Sequence, residues 1–107
     1  MKSYPSPPLR RSARVQVRIP VTISGMLPDG NSFTEETYVL SVSKFGAKLK
    51  TRYGLEPGME IRVKPRMRTE GAPFQVVWTG KEGSLRANEI GIQYVKVSNL
   101  LGITFPD

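Results

Sequence analysis

The stretch from Arg14 to Ser24 constrains the fold more than any other part of the chain. Val15, Val17, Ile19, Val21 and Ile23 alternate with Arg14, Gln16, Arg18, Thr22 and Ser24. A period of two over ten residues predicts a β-strand with one apolar face. Pro20 lies on the polar side of this run, and a proline inside a strand calls for an edge or a bulge at that point. Further strands are expected at 34–42, 47–52, 59–67, 74–79 and 89–97, set apart by turn-rich segments such as Pro28-Asp29-Gly30-Asn31 and Leu55-Glu56-Pro57-Gly58. The last carries Ile90, Ile92 and Tyr94 on one side.

Six short strands without a long amphipathic helix predict an all-β, antiparallel barrel or sandwich. A barrel is favoured, because closure removes strand edges that would otherwise pair with other chains. Residues 14–105 are expected to form this single domain. Residues 1–13 read as a flexible basic arm, since Pro5, Pro7 and Pro8 resist regular structure and few apolar groups repay ordering. A short helical turn at 98–103 is the most helix expected.

Composition then removes whole classes of chemistry. The chain of 107 residues has neither cysteine nor histidine, which excludes zinc-finger spacings, thiol nucleophiles and imidazole-based catalysis. The adjacent carboxylates Glu35 and Glu36 face opposite ways on a strand and make no acid/base pair. No catalytic constellation is present, so the expectation is a binding protein and not an enzyme. The net charge of +7 favours anionic partners. No run is long enough to span a bilayer and the first residues lack a signal-peptide core, which reads as cytoplasmic.

The candidate site has two halves. Arg10-Arg11-Ser12-Ala13-Arg14 precedes the first strand, and Ser41-Val42-Ser43-Lys44-Phe45-Gly46 ends the second. Arginine forks fit phosphate oxygens or a guanine edge and stack on bases. In an unbroken strand Ser41 and Ser43 would share a face, and Gly46 would let the chain turn. Each half also has an ordinary explanation. The spacing Arg-x-x-x-Arg recurs at Arg14/Arg18 and Arg62/Arg66, where a solvated strand face accounts for it. Serines before a glycine turn often bond the local backbone. Trp78 is assigned to the core, and Phe45 is the better candidate for an exposed aromatic.

In order and spacing these pieces resemble the PilZ domains, bacterial receptors for cyclic di-GMP. The resemblance runs from Arg10 to about Phe105. An Arg-x-x-x-Arg motif leading into the first strand falls on Arg10 and Arg14; an Asp or Asn-x-Ser-x-x-Gly motif falls on Ser41, Ser43 and Gly46. Leu55-Glu56-Pro57-Gly58-Met59, Val76-Val77-Trp78 and Glu89-Ile90-Gly91-Ile92-Gln93-Tyr94 look like later landmarks. The resemblance implies a six-stranded antiparallel barrel with cyclic di-GMP outside it, between the arginine arm and residues 41–46. It implies a role in second-messenger signalling, with Arg10, Arg11, Arg14, Ser41, Ser43 and Gly46 on the ligand, no other cofactor, and an unidentified protein partner downstream.

Ser41 departs from the pattern, since its side chain is shorter than the Asp or Asn expected there. Asn88 is a residue that could compensate. Two other readings remain open: a degenerate domain acting as a protein-interaction adaptor, and a small basic barrel binding single-stranded nucleic acid through Lys48, Lys50, Arg62, Lys64 and Arg66, the less favoured of the two.

Overall fold

The alternating run at the start of the chain forms strand β1, Val15–Met26, in a computed structural model that describes residues 14–81, 83–85 and 87–95. Five more strands follow: β2 (Ser32–Val42), β3 (Gly46–Lys50), β4 (Glu60–Pro65), β5 (Ala72–Thr79) and β6 (Glu89–Tyr94). All neighbours pair antiparallel in the closed order β1-β2-β3-β6-β5-β4. The expected barrel is therefore the observed one, and closure leaves each strand one face for the interior. Val21, Ile23, Val39, Leu49, Val63 and Phe74 have no measurable exposure and fill it. Each such side chain contributes roughly 1.5–3 kcal/mol by leaving water.

Where the strands stop differs from the sequence expectation for local reasons. β3 ends at Lys50 because Thr51 turns the chain. Its hydroxyl donates to Glu35 Oε1 at 2.7 Å and accepts from the Tyr53 amide at 3.1 Å. Glu35 also accepts the Arg52 amide, so this carboxylate braces a turn. β4 ends at Pro65 and β6 at Tyr94. The expected arm, residues 1–13, and the expected helical turn at 98–103 lie outside the described residues. Among those described, no helix is long and apolar enough to cross a membrane.

Pro20 sits where β1 outruns β4. The β1–β4 pairing covers Val21 to Ser24, and beyond it the Pro20 carbonyl accepts the Arg66 amide at 3.1 Å. In an antiparallel ladder a residue's N and carbonyl point to the same side. The missing N–H therefore faces the side where pairing ends, and the β1–β2 ladder loses nothing.

Tyr94 closes β6 half-buried, its ring 4.9 Å from that of Phe74. Burial raises its phenol pKa above the ordinary value near 10. The folded state thus holds this proton more tightly than the unfolded chain does. Its contribution is complete below pH about 10 and is lost as pH rises through the higher folded value. Urea melts between pH 8 and about 11 are expected to show stability falling at the alkaline end, with a shallower fall in Tyr94→Phe. An unchanged slope in that variant would remove Tyr94 as the cause.

Candidate functional site

Two β-bulges aim side chains onto the outer wall of the barrel. In β2, Val39 and Val42 both belong to the core, although they are three residues apart. Simple alternation from Val39 would send Ser41 inward as well. Instead the register shifts, with Val39 opposite Leu49 and then Ser41 opposite Lys48. Ser41 thereby joins the outer row, between exposed Gln16 on β1 and half-buried Lys48 on β3. A bulge re-aims a side chain in this way at small cost. Ser41 is nevertheless fully buried, and its hydroxyl accepts a hydrogen bond from Arg14 Nη1 at 2.9 Å. It anchors the guanidinium.

The second bulge corrects the expectation for Trp78. Phe74 and Val76 are core residues on β5, and alternation would make Trp78 the next. Val76 pairs with Ile92 but Trp78 with Gly91, so Val77 is the extra residue and the parity flips. Trp78 lands half-buried on the outer wall, its indole laid over Gly91, where a Cβ would lie 2.6 Å from Cδ1 of the ring. The signal missed in the sequence is Gly91 itself, a bare position sized for an aromatic across the strand pair.

The turn between β2 and β3 completes the site. β2 ends at Val42, so Ser41 and Ser43 do not share one unbroken strand. The Ser43 amide donates to the Gly46 carbonyl at 2.8 Å, and the Phe45 amide donates to Ser43 Oγ at 3.3 Å. Ser43 therefore does local turn chemistry while keeping its own hydroxyl proton available. Phe45 is 57% exposed, as the sequence suggested. Gly46 is glycine for a different reason than expected. It is not among the residues with positive φ. A Cβ there would collide with the Ile92 carbonyl and lie 2.8 Å from Gln93 Cα, so the close approach of β3 to β6 excludes any side chain.

Between these elements lies an open cavity of ≈ 200 Å³ lined by Arg14, Ser43, Phe45, Trp78 and Gln93, among others. It combines an arginine fork, two aromatic rings, a hydroxyl and an amide. No carboxylate among the described residues pairs with Arg14. Arg10 and Arg11 lie outside the described residues. A larger hollow, ≈ 530 Å³, is lined only by residues 67–71 of the β4–β5 loop and contains no aromatic or buried polar group. Asn88 does not reach the site. Gly46 pairs with Gln93 and Lys50 with Glu89, which leaves Asn88 beyond the far end of β6, about 14 Å or more away along the strand. There its carbonyl accepts the Thr51 amide.

The five basic residues considered for nucleic acid do not form one stripe. Lys48 and Lys50 are on β3, while Arg62 and Lys64 are on β4 and Arg66 directly follows it, three strands away in either direction round the barrel. Lys48 lies 3.6 Å from Glu89 Oε1 and Arg66 lies 3.4 Å from Glu36. Arg62 and Lys64 donate to the carbonyls of Gly71 and Arg68.

No family model matches the sequence, and no curated protein matches it significantly. A search of solved structures finds the PilZ domain with c-di-GMP of YcgR from Escherichia coli. Sequence identity is 15%, the TM-score is 0.57, and the alignment covers 83% of this chain and 79% of that one. At this identity the likeness is one of architecture, and it agrees with the closed six-stranded antiparallel barrel: the chain has the PilZ fold.

Proposed function

We propose that the protein is a cyclic di-GMP receptor domain. The observation that carries this reading is Arg14, held by a buried serine at the rim of a cavity walled by Trp78 and Phe45. Cyclic di-GMP offers two phosphates and two guanines. An arginine fork pairs with phosphate oxygens or with guanine O6 and N7. Aromatic faces add about 1–3 kcal/mol per stacked base. Ser43 has a hydroxyl proton to donate, and Gln93 an amide at the same wall. Arg10 and Arg11 precede Arg14 in sequence and supply further cationic contacts in this reading. The solved PilZ domain of YcgR, which holds this nucleotide, supports it at the level of fold.

Isothermal titration of the protein with cyclic di-GMP tests the proposal. Saturable heat is expected, with a weaker response to GMP, which has only one base. No heat at ligand concentrations near 100 μM, about −5.5 kcal/mol on the affinity scale, would overturn it. One observation favours a second reading: Ser41 stands where the motif calls for Asp or Asn, and its hydroxyl is already engaged by Arg14. A protein-interaction adaptor without nucleotide binding is the outcome that a silent titration would support. The separation of Lys48 and Lys50 from Arg62, Lys64 and Arg66 argues against a nucleic-acid groove.

A further inference from the structure

A second feature of β1 is independent of the nucleotide. Of residues 15–19, Val15, Gln16 and Ile19 pair with β2 across a register irregularity between Gln16 and Ile19, and none pairs with β4, whose register with β1 begins at Val21. Among the described residues no strand covers their other side. Val17 and Ile19 are half-buried there and pack against the core. Among the described residues the ladder gives this stretch no partner on that side, which is the kind of edge an extended chain completes.

The outer face beside the edge is cationic and aromatic. The Arg18 guanidinium lies 4.2 Å from the centre of the Tyr38 ring, and that of Arg66 lies 5.7 Å from it. Pro20 pairs with Tyr38 and ties Arg66 to β1 through its carbonyl, which keeps the three side chains together. Arg18 has no carboxylate partner among the described residues. Arg66 has Glu36, itself largely exposed, and Arg68 follows one residue beyond Met67, which is 93% exposed. Among the described residues the acids on this side are Glu36 and, in the same loop as Arg68, Glu70. Stacked arginine and tyrosine are the residue types that dominate binding energy at protein interfaces, and stacking holds the guanidiniums ready at low entropic cost.

We propose that this edge takes up an extended acidic segment of a partner protein as an added strand. Charge complementarity chooses the occupant. A strand laid against residues 15–19 puts alternate side chains on the outer face, beside Arg18 and Arg66, and the others against Val17 and Ile19. The segment that fits alternates carboxylates with small apolar residues.

A labelled peptide of about ten residues, alternating glutamate and valine, is the probe, with its lysine–valine counterpart as control. In fluorescence anisotropy the acidic peptide is expected to bind saturably and the basic one not at all. The Arg18→Glu/Arg66→Glu double variant should weaken binding at least about tenfold, and Tyr38→Ala should weaken it with no change of charge. The double variant Lys50→Glu/Lys81→Glu, away from this face, should change it less than about twofold. Peptide should also slow amide hydrogen exchange at residues 15–19. Equal losses in both double variants, or exchange at 15–19 unaffected by peptide, would overturn the proposal in favour of general charge attraction or of an edge guarded by its arginines. A doubled solution mass without peptide would overturn it in favour of a second copy of the chain.

Discussion

Gly46→Ala is expected to destabilise the barrel by about 4 kcal/mol or more, a large part of the 5–15 kcal/mol typical of a domain. The added methyl would enter the space of the Ile92 carbonyl and crowd Gln93 Cα, both of them backbone. Backbone in a closed sheet has little room to retreat, and β3 meets β6 through this pair at its first residue. Urea melts followed by circular dichroism would measure the loss. Gly91→Ala is the informative contrast. There the obstructing atoms belong to the Trp78 indole, which can rotate away, so the cost should stay near the 1–3 kcal/mol of ordinary overpacking. A Gly46→Ala protein within 1 kcal/mol of the native one would show that β3 and β6 do not sit this close.

Arg14→Ala is expected to weaken cyclic di-GMP binding by about 1.5–3 kcal/mol, or roughly 12-fold to 150-fold in Kd. The change removes the fork at the cavity rim and leaves the Ser41 hydroxyl buried without its donor. The second effect is on stability and should be near 1 kcal/mol. Titration and urea melts on the same variant separate the two. Arg14→Lys keeps the charge but loses the planar fork, so it should recover only part of the affinity. Ser41→Ala frees the guanidinium without removing it and should fall between. An Arg14→Ala protein that binds as well as the native chain would show that the fork is not on the ligand.

The barrel was readable in the chain because burial on one face of a strand writes itself as alternation, and alternation needs no long-range information. Val15 to Ile23 and Phe74 to Val76 carried that signal plainly. The same rule misled at Trp78 for a physical reason: a bulge inserts one residue, Val77, and reverses the side of everything after it. The motif points to Ser41, but its burial beneath Arg14 depends on the irregularity of β2 between Val39 and Ser41, which arises only when β2 pairs with its neighbours β1 and β3. In sequence Gly46 reads as a turn residue, whereas its requirement comes from Ile92, 46 positions along the chain. Asn88 looked available in one dimension and proved to be at the wrong end of a strand. Single-residue chemistry was legible; which residues face each other across the sheet was not.

The bulge at Val77 has a further consequence. It brings the chain's sole indole chromophore to the wall of the candidate cavity instead of the hydrocarbon interior. Emission excited near 295 nm comes from this one ring. Its wavelength and quantum yield respond to a stacked purine or to displaced water. The protein therefore carries a built-in optical gauge of cavity occupancy, which can be read without label, tag or substitution.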